Sequence, residues 1–169
     1  MEDPPPQPSP VPPQPQPAQQ PAYPPETMEL LARMHSGAGW FFWIAGLSLI
    51  NSIIIVSGGN IKFVIGLGIT EIIDGVAQNI GGAGRFFGLF MDFCVAGVFA
   101  LFGIFAKKGN TAAFIVGMII YALDGMLYLF VQEWLSIGFH AFALYCIFSG
   151  FAAQRQLTKI VQNVKQQAT

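Results

Sequence analysis

Long apolar segments constrain this chain most. Three runs are long enough to cross a bilayer as helices, which takes about 20 residues each, and they cover Phe86 to Ala106, Thr111 to Val131 and Trp134 to Ala153. A fourth run, Trp40 to Ser57, is slightly shorter but strongly apolar. Only 10% of the residues are charged, against about 25% in soluble domains. The sequence therefore predicts an all-α, polytopic helical membrane bundle and argues against a water-soluble globule.

The two ends of the chain differ from these runs. All 12 prolines lie between Pro4 and Pro25, in a stretch with too few aliphatic residues to offset the entropy of ordering it. We predict a disordered Pro-rich tail over residues 1–30, a helical transmembrane domain over 36–153 and a basic amphipathic tail over 154–169. The last part favours a short helix on an anionic leaflet, with a frayed, solvated tail as the alternative.

The segment from Ile61 to Ile80 is ambiguous. It is long enough to cross, but Glu71 near its middle costs roughly 2.5 to 3.5 kcal/mol on the insertion scale, which makes independent insertion marginal. We expect four full spans, with this segment as a non-crossing or half-buried helix on the outer side. Five spans are the alternative. A weak repeat shifted by 50 residues favours five, because it aligns Asp74-Gly75 with Asp124-Gly125.

Basic residues give an orientation. Both span counts place the loop at Lys107 and Lys108 and the C-terminus on the more basic side, which is the cytoplasmic one by the positive-inside rule. With four spans the N-terminal tail is cytoplasmic as well. The sequence therefore predicts a multi-pass integral membrane protein with a cytoplasmic C-terminus.

Ionisable residues inside the apolar runs are the candidate functional site. At 1.5 Å per residue, Asp92, Asp124 and His140 all lie about 9 to 12 Å below the outer edge. Small residues share their helix faces, and such faces pack against other helices in membranes. We expect these three side chains to face inward as one intramembrane polar layer.

The ambiguous segment adds an outer acidic face formed by Glu71 and Asp74. If that segment crosses the bilayer, Asp74 joins the polar layer, and if it does not, Asn51 lies at that depth instead. A carboxyl and an imidazole that share a site can form a proton relay. They can equally lock helices together by hydrogen bonds.

Several classes of function receive no support from the sequence. A net charge of -1 provides no basic surface for nucleic acid. Cys94 and Cys146 lack the spacing of metal ligands, and the motifs of common hydrolases are missing, so we predict no catalytic residues, no cofactor and no metal. The expected partners are the lipid bilayer, a second copy of the chain and a cytoplasmic partner of the Pro-rich tail.

Two functions then stay open. The sequence favours a non-enzymatic membrane module for assembly or interaction. The alternative is a channel or transporter component that handles protons or cations, with Asp92, Asp124 and His140 as a relay and the outer acidic face as its vestibule.

Overall fold

Five α-helices make up the part of the chain that the computed structural model describes, residues 24–58 and 66–167. Four of them are long and apolar enough to cross a membrane, and α2 is the exception. This confirms the predicted all-α bundle of four spans with one shorter helix. The helices are α1 Pro25–Val56, α2 Gly68–Ile80, α3 Gly82–Lys107, α4 Thr111–Val131 and α5 Trp134–Gln167.

Helix α1 begins earlier than the sequence suggested. Its first residue, Pro25, lies within the stretch predicted to be a disordered tail. Proline is well tolerated there because the first N–H of a helix has no partner to lose. Leu30 and Met34 are buried in the core, so this stretch has a packing reason to be helical. The rest of the predicted tail, residues 1–23, lies outside the described residues.

Helix α5 continues past Ala153 to Gln167 without a break, so most of the predicted basic amphipathic tail is helical and continuous with the last long helix. The amide group of Gln154 is buried and donates hydrogen bonds to the carbonyl oxygen of Gly109 (2.8 Å) and to Oγ1 of Thr111 (2.9 Å). The start of the predicted amphipathic tail therefore belongs to the bundle and holds the loop between α3 and α4. Contact of the exposed remainder with a leaflet stays a prediction.

Helix α1 packs closely against both α3 and α5. A Cβ atom at Gly37 would lie 2.6 Å from the Cα of Gly150, so α1 and α5 are in backbone contact. Such close approach is what small residues permit in membrane helices. Phe41 is fully buried and its ring neighbours those of Phe99 and Phe114. Large aromatic side chains therefore fill the spaces between helices here.

Helix α2 enters the bundle only part-way. It forms a tight hairpin with α3 through Gly81, whose φ of +93° suits glycine. At its other end the N–H of Leu67 donates to Oγ of Ser48 (2.9 Å). Ser48 precedes Val56, the last residue of α1, by two helical turns, so the first residue of α2 lies about 12 Å inside that end of the bundle. Helix α2 is thus a short, half-buried helix, as the sequence predicted, and that its segment does not cross the bilayer stays a prediction.

The long helices also meet at the other end of the bundle, away from the turn between α2 and α3. The ammonium group of Lys107 lies 4.7 Å from the ring centroid of Phe42. The first half of α1, the loop between α3 and α4 and the second half of α5 therefore share one end of the bundle. That this end is cytoplasmic stays a prediction from the basic residues.

Candidate functional site

The buried ionisable side chains form two clusters, one at the start of α2 and one at its middle. We call Asp124 and His140, with the backbone groups that they bind, the anchor cluster. We call Asp74 and Asp92 the acid pair, and Ser52 lies beside it. The two clusters differ in whether their polar atoms are satisfied, and this difference decides what each can do.

The anchor cluster holds the inner end of α2. Asp124 accepts hydrogen bonds from the N–H of Gly68 at Oδ2 (2.8 Å) and from the N–H of Ile69 at Oδ1 (2.9 Å). The first N–H groups of any helix lack partners within it, and a bilayer offers no water to supply them. One carboxyl group therefore makes it possible for a helix to begin in the middle of the membrane.

His140 completes the anchor cluster. Its Nδ1 lies 2.8 Å from the carbonyl oxygen of Ser136, which can only accept, so Nδ1 carries a hydrogen and donates it. Its Nε2 lies 3.1 Å from Oδ2 of Asp124. One proton then lies between these two atoms, and the pair is neutral overall whichever atom holds it. The ring of Tyr121 stacks on the imidazole at 4.4 Å.

The hydrogen-bonding capacity of the anchor cluster is used. No buried side-chain atom of Asp124 or His140 lacks a hydrogen bond. Nearby, the hydroxyl of Tyr128 lies 3.1 Å from Oε1 of Glu71, to which it can donate. Networks in which every member is satisfied make a fold rigid and specific. The hydrogen bonds of the anchor cluster therefore join the start of α2 to α4 and α5.

The acid pair is unlike the anchor cluster. Asp74 of α2 is 3% exposed, and Asp92 of α3 and Ser52 of α1 are 0% exposed. The three side chains lie close enough to interact with one another. Nevertheless Oγ of Ser52, Oδ2 of Asp74 and both carboxyl oxygens of Asp92 make no hydrogen bond of good geometry. Buried polar atoms are almost always satisfied, so this group needs an explanation.

The charge of the acid pair also needs an explanation. Neither acid of the pair forms an ion pair with another described residue, whereas Asp124 has His140 as a partner. Lys62 lies outside the described residues. Two neighbouring carboxylates cannot both stay charged in apolar surroundings at low cost. In the described ranges, no side chain balances the charge that the acid pair would carry if both carboxyl groups were ionised.

The predicted polar layer is divided by this arrangement. Asp124 and His140 are in contact, whereas Asp92 interacts with Asp74 and with no residue of the anchor cluster. The hairpin register explains this, because Gly88 packs against Ala77 and so turns the next polar residue of α3 towards α2. The predicted outer acidic face is divided as well, with Asp74 directed at α3 and Glu71 at Tyr128 of α4.

Two serines of α1 contribute to these clusters, and the sequence analysis did not identify them. Ser48 accepts the N–H of Leu67 beside the anchor cluster, and Ser52 lies beside the acid pair. They are four residues apart, about 6 Å along a helix, and therefore on one face. A polar stripe of Ser48, Asn51 and Ser52 at helical spacing, inside an otherwise apolar run, was the available signal.

The weak sequence repeat has a counterpart in the fold. Helices α2 and α3 form one antiparallel hairpin, and α4 and α5 form another. In each, an aspartate followed by glycine on the first helix faces an ionisable residue of the second: Asp74 faces Asp92, and Asp124 faces His140. The same shift aligns Gly59-Asn60 with Gly109-Asn110 and Ile65 with Ile115, but residues 59, 60 and 65 lie outside the described residues.

Other chemistry finds little support in the described ranges. They contain no group of three or more His, Cys, Asp or Glu side chains that could hold a metal ion. A cavity of about 400 Å³ between α3 and α4 reaches Asp124, and one of about 180 Å³ between α4 and α5 reaches His140, but the other lining residues of both are apolar or glycine. Neither is lined by Asp92. The predicted lack of an enzymatic activity stays a prediction.

Comparison with known proteins adds no assignment. No protein-family model matches the chain, and neither a curated protein nor a solved structure is detectably similar to it.

Proposed function

We propose that this protein handles protons within the membrane and that the acid pair takes up and releases them. The observation that carries the proposal is the state of Asp92, which is fully buried although neither carboxyl oxygen has a hydrogen bond of good geometry. A carboxyl group held in this way changes its protonation state rather than remain charged and unpaired. Ionisable residues inside membrane bundles commonly mark proton or ion pathways.

The contrast with the anchor cluster supports a functional reading of the acid pair. The same fold satisfies both carboxyl oxygens of Asp124 with hydrogen bonds from α2. The fold can therefore satisfy a buried aspartate with hydrogen bonds, and the lack of such bonds at Asp92 is specific to that site. Unsatisfied buried groups cost stability and persist mainly where function needs them.

The position of α2 supports the proposal as well. A helix that begins inside the membrane beside a polar site is an arrangement that transporters use to bind ions at that depth. Ser52 and Asp92 belong to long helices, whereas Asp74 belongs to this short one. Movement of α2 relative to the long helices would therefore change the distance between the two acids and so the surroundings of both.

The roles assigned to residues differ from the relay considered in the sequence analysis. Asp124 and His140 hold α2 and are not proposed to carry protons. Glu71 is directed at α4 rather than at the acid pair. The role in assembly or interaction, the association with a second copy and the partner of the Pro-rich tail stay predictions.

Proton flux through liposomes tests the proposal. Purified protein is reconstituted, a pH gradient is imposed, and its decay is followed with a pH-sensitive dye trapped inside. We expect wild-type protein to speed the decay and the Asp92→Asn and Asp74→Asn variants to lose this effect. Glu133→Gln, which removes an exposed carboxyl between α4 and α5, is the matched control and should behave as wild type. Equal flux in all four proteins would refute the proposal.

A further inference from the structure

We infer that the acid pair also binds a small alkali cation such as Na⁺, in exchange for one proton, with the hydroxyl of Ser52 as a third ligand. This inference rests on the proposed function, because it assigns a second occupant to the same site. It goes further by naming the class of ion and a residue that distinguishes that ion from a proton.

The chemistry of the donor atoms selects the class of ion. The side-chain atoms that lack hydrogen bonds at Ser52, Asp74 and Asp92 are all oxygens. Oxygen ligands suit hard cations, whereas copper and zinc prefer nitrogen and sulfur. Mg²⁺ gives up its water reluctantly and Ca²⁺ takes 6–8 oxygens. A buried site with two carboxyl groups and one hydroxyl is better matched to a monovalent ion.

Ser52 is the observation that is independent of the two acids. Its side chain is fully buried on α1, it lies close to both carboxyl groups, and Oγ makes no hydrogen bond of good geometry. A serine in a helix can donate to a backbone carbonyl one turn earlier, as Ser48 does here to Ile44 at 2.9 Å. The hydroxyl of Ser52 is left available to the site.

Charge neutrality predicts competition between the two ions. Two protons on the acid pair give a neutral site, and so do one proton and one Na⁺. Exchange of a proton for Na⁺ therefore leaves the buried charge unchanged and avoids the cost of an isolated ion in a medium of low polarity. By mass action, the Na⁺ concentration for half-occupancy should rise about tenfold for each unit that the pH falls.

Among residues 24–58 and 66–167, the other ionisable groups around α2 do not face the acid pair. Those packed against it from α4 and α5 are Asp124, Tyr128 and His140, which bind the backbone of α2, Glu71 and each other. The part of α1 beside the site, from Trp40 to Val56, contains no ionisable residue, and on α3 the nearest one to Asp92 is the exposed Arg85, two turns away. The exchange is thus a property of Asp74 and Asp92.

Carbodiimide labelling of the full-length protein in membranes provides the test. Dicyclohexylcarbodiimide reacts with a protonated carboxyl in apolar surroundings, and mass spectrometry locates the adduct. We expect labelling at Asp74 or Asp92 at acidic pH, slower labelling when Na⁺ is added, and no slowing when choline chloride replaces it. The protecting Na⁺ concentration should show the tenfold dependence on pH stated above.

The Ser52→Ala variant separates the two occupants. It should still be labelled, because both carboxyl groups remain, but Na⁺ should protect it at least about tenfold less well, a loss expected from removing one buried ligand. The Ser57→Ala variant, at an exposed position at the end of α1, is the matched control. The inference would be overturned by any of three results: labelling at the same rate with and without Na⁺, protection by Ca²⁺ but not by Na⁺, or wild-type protection by Na⁺ in Ser52→Ala.

The outcome for proton handling can be read separately. Flux that depends on Asp92 together with labelling that Na⁺ does not slow would retain the proposed function and remove the cation. Protection by Na⁺ that depends on Ser52, without any proton flux, would retain the binding site and remove proton handling.

Discussion

The inner end of α2 gives the sharpest mutational prediction, through the substitution Asp124→Asn. The new amide can still accept the N–H of Ile69 through its oxygen and can donate to Nε2 of His140 through its nitrogen. The N–H of Gly68, which is 2.8 Å from Oδ2 in the wild type, then loses its acceptor. The change therefore removes one hydrogen bond at one end of one helix.

The size of the effect follows from that loss. A buried donor left without an acceptor costs about 1–3 kcal/mol. Since 1.4 kcal/mol corresponds to a factor of ten, local opening of the first turn of α2 should become about 5 to 150 times more frequent. The four long helices keep their contacts and should open as before.

Hydrogen–deuterium exchange with mass spectrometry, on protein in lipid nanodiscs, measures this opening. We expect peptides that cover α2 to exchange faster in Asp124→Asn by the stated factor, with peptides from the ends of α1 and α5 unchanged. Glu133→Gln controls for the loss of an acid outside the cluster. A change of less than about twofold in α2, in a variant that is otherwise protected like the wild type, would refute the anchoring role.

Three further predictions concern the acid pair, the helix contacts and the topology. Asp92→Asn should raise the free energy of unfolding by about 1 kcal/mol, measured by thermal unfolding in detergent, because its amide can donate to the neighbouring acid; a clear loss of stability would contradict this. Gly37→Ala should lower the free energy of unfolding by about 1–3 kcal/mol, because its Cβ would lie 2.6 Å from the Cα of Gly150. Gly39→Ala meets nothing within 4 Å and should stabilise the protein slightly. Equal effects of the two variants would contradict the packing of α1 against α5. In a background without native cysteines, Ser57→Cys and Gly82→Cys should react with an impermeant maleimide from the same side of the membrane, and labelling from opposite sides would show that the segment between them crosses.

The number of spans could be predicted because hydropathy and length decide it. A run as long and apolar as Thr111 to Val131 is predicted to cross the bilayer. In the segment from Ile61 to Ile80, Glu71 near the middle makes crossing marginal. The bounds were harder to predict. Pro25 begins a helix and α5 passes Ala153, because Leu30 and Gln154 pack against other helices, and no local pattern reports that contact.

The pairing of the acids could not be predicted from depth. Depth along a helix is one coordinate, and the sequence provided it for Asp92, Asp124 and His140. Which partner each meets also depends on rotation and on the hairpin register, set here by the contact of Gly88 with Ala77. Asp92 consequently meets Asp74 of the short helix, a residue expected on an outer face.

Infrared difference spectroscopy of the acid pair tests the central claim most directly. The carbonyl stretch of a protonated carboxyl in apolar surroundings is separate from that of a carboxylate, and a spectrum at acidic pH minus one at alkaline pH isolates the groups that titrate. We predict a protonated-carboxyl band in wild type and Glu133→Gln that is weakened in Asp92→Asn, where only Asp74 of the pair remains, and weakened in wild type when Na⁺ is added. A band that is unaffected by Asp92→Asn, in a correctly folded variant, would contradict the account.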